Sequence, residues 1–240
     1  MSQVAIYEGL KKLISGNRII SLSGASGMGK TTLAQYLIGK LLSDFRSQEY
    51  CSYWVQASEA FSRKRLSKLF EKTPVELKYI KNNVYILPGK KPCISYLEQN
   101  KILKQIWSED AIVSPDLKFV VIDNISHHLR YEISISPNIE STVSLIDSFF
   151  GQQLQPLIMF CQREDITLIL IHEATYDPKI DKLAPFCHKL YDRIDTVDIV
   201  LKKEFSTQEK IMHINVGDTS FSTKYVLCDE GLVFFKEKIR

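Results

Sequence analysis

"GASGMGKT", residues 24–31, fits the pattern G-x-x-x-x-G-K-[ST] and lies between "NRIISLSG" (17–24), a short apolar run, and "TTLAQYLIGKLLSDF" (31–45), whose apolar residues recur at i, i+3 and i+4. The spacing predicts a strand, a tight glycine turn and a helix. Glycines let the backbone curl closely enough to aim its N–H groups at phosphate oxygens, and the following helix adds the positive end of its dipole. Gly24, Ser26, Gly27, Met28, Gly29, Lys30, Thr31 and Thr32 are therefore the expected cradle for a nucleoside triphosphate. Lys30 is expected at the β- and γ-phosphates, and the Thr31 hydroxyl on Mg²⁺.

Such a loop needs a second carboxylate at the end of a neighbouring strand, where it can hold the magnesium ion. "KFVVID" (118–123) is an apolar run that stops at Asp123 and meets this need. The chain continues as "NISHHLRYE" (124–132), and His127 and His128 raise the question of a metal centre. Adjacent residues do not share a helix face, so the two cannot serve one ion from one side. They are expected in a loop or on the surface.

Outward from these two motifs the chain alternates. "CSYWVQA" (51–57), "NNVYILPG" (82–89) and "ITLILIH" (166–172) read as strands, while "RKRLSKLFEK" (63–72) and "ISYLEQNKILKQIW" (94–107) read as helices. Residues 140–164 read as one long helix despite Gly151 and Pro156. Strands alternating with helices imply a mostly parallel sheet covered on its faces. The last third changes to the strand-like runs "TVDIVLKKEF", "EKIMHINVG", "TKYVLCDEG" and "LVFFKEK", which predict an antiparallel extension at the C-terminal end. The paired phenylalanines at 149–150 and 234–235 are expected in the core.

At 240 residues with 45% apolar composition and no linker-like tract, residues 1–240 are expected to form a single domain. No apolar run approaches the roughly 18 residues of a membrane span, and a soluble cytoplasmic protein is expected, associated with the nucleoid when it binds DNA. Cys51, Cys93, Cys161, Cys187 and Cys228 lie far apart with no C-x-x-C pair, so they are expected reduced and mostly buried. A formal net charge of +3 leaves nucleic-acid binding to a local patch.

The order of these motifs resembles one family. "VVIDNISHHLRYE" is similar to the segment of archaeal RecA-type recombinases, above all the short RadB-like paralogs, in which the acid precedes a small polar residue, an aliphatic, a Ser/Thr and an Arg-x-Glu. "FGQQLQPLIMFCQREDITLILIHEATYDP", "KLAPFCHKLYDRIDTVDIVLKK" and "KYVLCDEGL" resemble that family's long helix and buried strand, its proline-containing loop and its closing strand. The resemblance implies an α/β fold with a RecA-like P-loop NTPase core, ATP and Mg²⁺ as ligands, and work in DNA repair and recombination. With the phosphate loop starting at residue 24, no N-terminal DNA-binding domain is expected, which favours an accessory paralog over a strand-exchange enzyme.

Two positions depart from the family. Anchoring on Phe61, Ser62, Arg65 and Leu66 puts Ser58 where the family has the glutamate that activates water, and Glu59 one residue later. Successive strand residues face opposite sides, so the offset aims Glu59 differently. His172-Glu173 stands where the family has Asn-Gln, whose amide senses the γ-phosphate, and a carboxylate there repels a triphosphate unless it is protonated or paired with magnesium or a cation. Lys30, Glu59 and Glu173 are the candidate catalytic residues.

The family's DNA-contacting loops correspond to the regions after Arg130 and after Tyr176. "YDPKIDKLAPFCHKLYDR" mixes Lys, His, Tyr and Arg, suited to phosphate contact and base stacking, so Arg130, Lys179, Lys182, Lys189 and Arg193 are the candidates for weak single-stranded DNA binding. The main recombinase or another repair protein is the expected protein partner, with the oligomeric state open. Two other readings fit the same motifs: an ATP-gated scaffold without hydrolysis, and an ATP-dependent kinase or signalling P-loop ATPase.

Overall fold

The computed structural model describes residues 3–16, 19–177, 182–191, 194–204, 208–228 and 231–235. The strands are β1 (Ile19–Gly24), β2 (Cys51–Gln56), β3 (Val84–Leu87), β4 (Leu117–Asp123), β5 (Thr167–Asp177), β6 (Lys182–Pro185), β7 (Val197–Lys203), β8 (Lys210–Val216), β9 (Thr219–Cys228) and β10 (Gly231–Phe234). The helices are α1 (Gln3–Gly16), α2 (Lys30–Asp44), α3 (Arg63–Leu69), α4 (Pro74–Asn83), α5 (Tyr96–Trp107), α6 (His127–Ser134), α7 (Ile139–Phe149), α8 (Gln155–Arg163) and the short α9 (His188–Tyr191).

The strands join in the order β10-β9-β8-β7-β1-β5-β4-β2-β3, with β6 paired antiparallel to the end of β5. From β7 across to β3 every neighbour runs parallel; from β7 out to β10 every neighbour runs antiparallel. This is the mixed sheet expected from the change of pattern in the last third.

Central strands are apolar throughout because both faces are covered. Ile20 and Leu22 of β1, Phe119 and Val121 of β4, and Ile169 and Ile171 of β5 pack on the α1 and α2 side. Their alternates Ile19, Val120, Ile122, Leu168 and Leu170 pack on the side of α5, α6, α7 and α8. A smaller cluster of Leu66, Phe70 and Ile80 sits beneath α3 and α4. No helix among the described residues is long and apolar enough to cross a membrane.

Several expectations are corrected. The predicted helix over 140–164 is continuous but not uniform: α7 passes into a π-helical turn at Phe150–Leu154 and then into α8. Gln155 N–H bonds to the Phe150 carbonyl five residues back, and Pro156 then falls in the first turn of α8, where a missing N–H costs little. His128 is not a loop or surface residue. It lies in α6 with its ring buried and Nε2 at 2.8 Å from the Ala57 carbonyl, while His127 is exposed. Phe149 and Phe234 are core residues, but Phe235 is 49% exposed. Cys51, Cys93 and Cys161 are buried, Cys187 is half-buried, Cys228 is exposed, and all five are free.

Candidate functional site

The parallel strands β1 and β4 end at Gly24 and Asp123, at the edge where the glycine turn leads into α2, and β5 runs on past Glu173, the partner of Gly24, to Asp177. Two glycines there are required by geometry. Gly29 adopts φ 95° as the N-cap of α2, a conformation that side chains resist, and a Cβ on Gly24 would stand 2.5 Å from the Leu201 carbonyl of β7.

Lys30 donates to the carbonyls of Gly24 at 2.8 Å and Ala25 at 3.1 Å, so its ammonium lies over the turn. Burial lowers its pKa, against the opposing pull of Asp123, Glu173 and Glu59. The Thr31 hydroxyl donates to Asp123 Oδ2 at 2.8 Å, across 92 residues of sequence. Burial pushes the Asp123 carboxyl up to about 6; the Thr31 hydrogen bond and the charges of Lys30 and Arg65 act in the other direction. A hydroxyl and a carboxylate side by side are hard oxygen donors of the kind Mg²⁺ prefers. Among the described residues no group of three or more His, Cys, Asp or Glu side chains gathers elsewhere as a metal site.

These residues line a cleft of about 570 Å³ that takes in Gly24, Ser26, Gly27, Gly29, Thr32 and Glu59 as well as Lys30, Thr31 and Asp123. Glu59 is exposed at its wall, and its charge is felt by both Lys30 and Asp123. Ser58 faces the cleft too, but its hydroxyl accepts the Asn124 N–H at 3.2 Å, tying the end of β2 to the loop after β4. The Met28 side chain is buried in the core, and its carbonyl accepts a hydrogen bond from the Tyr225 hydroxyl at 2.8 Å.

Glu173 lies beside Gly24 in the β1–β5 register and lines the cleft. Its carboxylate is paired: Arg130 donates to Oε2 at 2.6 Å, and His127 Nδ1 is 3.6 Å from Oε1. The repulsion expected between Glu173 and a triphosphate therefore meets a cation. His172 faces away from the cleft, fully buried, with its ring 4.5 Å from that of Tyr191. Burial, reinforced by the charge of Lys30, lowers its pKa to about 3.

Sequence reading missed Arg65, Asn124 and Leu227, which also line the cleft, and Tyr225, which holds the turn from its core side. Tyr225 and Leu227 come from β9, nearly 200 residues downstream of the loop they serve, and no local pattern announces them. Arg65 was only an alignment anchor, although its place three residues after the helix-capping Ser62 puts it on the first turn of α3. Of the proposed DNA contacts, Arg130 is engaged with Glu173 and Lys189 is exposed on α9. Lys179 and Arg193 lie outside the described residues, as does the Lys182 side chain.

No family model matches the chain. The DNA repair and recombination protein RadB of Thermococcus sibiricus is 23% identical to it over 167 residues, which is 70% of this chain and 64% of that protein. The match thus spans slightly less than two thirds of that relative's length. A crystal structure of the RadB recombinase matches with a TM-score of 0.65 and 18% identity, covering 89% of each chain. In fold this chain is a RadB-like RecA core, and the likeness expected from the order of its motifs is met in sequence as well.

Proposed function

We propose that the chain binds Mg-ATP in the cleft at the ends of β1 and β4, beside Glu173 of β5, hydrolyses it slowly, and in doing so supports DNA repair by recombination. The observation that carries this reading is the Thr31–Asp123 hydrogen bond beside Lys30, which brings together a hydroxyl, a carboxylate and an ammonium from two distant segments. The backbone N–H groups of the turn and Lys30 would hold the phosphates. Thr31 and Asp123 would hold Mg²⁺, which neutralises phosphate charge when bound. The nucleoside would extend toward a second groove of about 430 Å³ that shares Thr32, Arg65 and Leu227 with the cleft. Glu59 is the carboxylate available to orient water, and its exposure is the reason to expect slow turnover.

A role in repair rests on the likeness to RadB proteins, and contact with single-stranded DNA or with a main recombinase is part of the same proposal. The rival reading, an ATP-gated scaffold, draws on Ser58, which is hydrogen-bonded in the place where the family has its catalytic glutamate.

Steady-state hydrolysis of Mg-ATP, with and without single-stranded DNA, tests both readings beside Lys30→Ala. Turnover that disappears in the variant supports the ATPase. Binding without turnover above the variant supports the scaffold, and failure of the wild-type protein to bind ATP or ADP overturns the nucleotide site altogether.

A further inference from the structure

Glu173 poses a problem that the proposed function leaves open. Its carboxylate lies close enough to Lys30 for each to feel the other's charge, and a triphosphate held by Lys30 would extend its terminal phosphate into the same field. The adjoining elements supply a remedy. Arg130, on α6, reaches across to Glu173 Oε2 at 2.6 Å and also faces the cleft. Its guanidinium stands over the Phe186 ring, 5.8 Å from the centroid, and Phe186 N–H in turn donates to the Glu173 carbonyl at 2.9 Å. The Glu173 backbone N–H donates to Ser126 Oγ at 3.3 Å, and Ser126 Oγ donates to Asn124 Oδ1, so the backbone that carries the carboxylate is tied to the loop after Asp123.

A guanidinium has five N–H donors in a fixed fork, and the carboxylate of Glu173 engages Arg130 through a single nitrogen, Nη1. The side chain is half exposed, and it lines the same cleft as the phosphate loop. We propose that Arg130 is a γ-phosphate-binding arginine supplied from within the chain, held by Glu173 so that the guanidinium bridges the carboxylate and the terminal phosphate of ATP. The proposal rests on the nucleotide reading above and deepens it: Arg130, with Glu173 as its positioning residue, distinguishes triphosphate from diphosphate. ADP lacks the group that meets Arg130 and leaves the Arg130–Glu173 pair as it is. His127, one turn before Arg130 on α6, lies at the other carboxylate oxygen, its Nδ1 3.6 Å from Oε1.

The test is the affinity of the whole chain for Mg-ATP and Mg-ADP, each by displacement of a fluorescent ADP analogue, in the wild type, Arg130→Ala, Arg130→Lys, Glu173→Gln and the Arg130→Ala/Glu173→Gln pair. Arg130→Ala is expected to weaken ATP by about tenfold or more while ADP stays within about threefold. Arg130→Lys, which keeps the charge, is expected to recover part of that loss. Adding Glu173→Gln to Arg130→Ala is expected to recover part of it too, because an unpaired carboxylate no longer faces the phosphate. Equal losses for ATP and ADP in Arg130→Ala overturn the proposal, as does a double variant no better than Arg130→Ala. A wild-type protein that binds neither nucleotide instead overturns the nucleotide site, and the two failures are told apart by the ADP measurement.

Discussion

Gly39 lies in the middle of α2, where a glycine would ordinarily cost about 1 kcal/mol relative to alanine. Its use is the close crossing of Phe70: a Cβ at this position would stand 2.3 Å from the ring, and Phe70 is itself buried against Leu66 and Ile80. Overpacking of this kind costs about 1–3 kcal/mol, more than the gain in helix propensity. Gly39→Ala is therefore expected to lower the urea unfolding midpoint despite the better helix former. An unchanged or raised midpoint would show that Phe70 moves aside. Single residues were legible in the sequence where chemistry fixed their type, as with Lys30, Thr31 and Asp123. They were not legible where a distant partner decided the role. Glu173 read as an anion opposed to phosphate, and only the fold shows Arg130, 43 residues away, beside it.

Elements were legible in proportion to their burial. β4 and β5 are covered on both faces and read as unbroken apolar runs, whereas α4 buries only Ile80 and so lacks an apolar stripe. Helix α6 starts directly after the Asp123 loop, with no acidic residue in its first turn and no side-chain cap at Ser126, and its sequence read as loop. The antiparallel ribbon was foreseen as an extension of the sheet, but its contact with the glycine turn was not. Strand β9 carries Tyr225 beneath the turn and Leu227 against Gly29, so the C-terminal ribbon props the loop from its core side. Tyr225→Phe removes the hydroxyl that donates to the buried Met28 carbonyl and should cost about 1–2 kcal/mol. Because that carbonyl belongs to the glycine turn proposed to hold the phosphates, weaker ADP binding is expected along with the lower stability. Calorimetric titration alongside urea unfolding would check both, and lost stability with unchanged ADP affinity would show that the ribbon supports the sheet alone.

At the scale of the whole molecule, the two apolar faces of the central strands made the parallel sheet legible, and the order of motifs pointed to the RadB-like fold that the structural match bears out. The closed interior has a consequence for acid stability. His172 is fully buried in the strand next to β1, packed on Tyr191, and its pKa is lowered to about 3. In the unfolded chain a histidine titrates near 6.5, so between about pH 6.5 and 3 the unfolded state holds a proton that the folded state does not. The contribution is fully present above the unfolded value and is lost as pH falls toward the folded one. Asp123, raised to about 6, acts in the opposite sense, binding its proton first in the folded state as pH drops. The two partly cancel in the wild-type profile. Comparison with His172→Asn, which keeps Asp123, separates them. The wild type is expected to lose about 2 kcal/mol more than the variant between pH 7 and pH 5, read from urea unfolding at each pH, whatever the variant's own cost in packing. Parallel profiles would mean that the folded protein admits a proton to His172, and that the strand beside β1 is open to water.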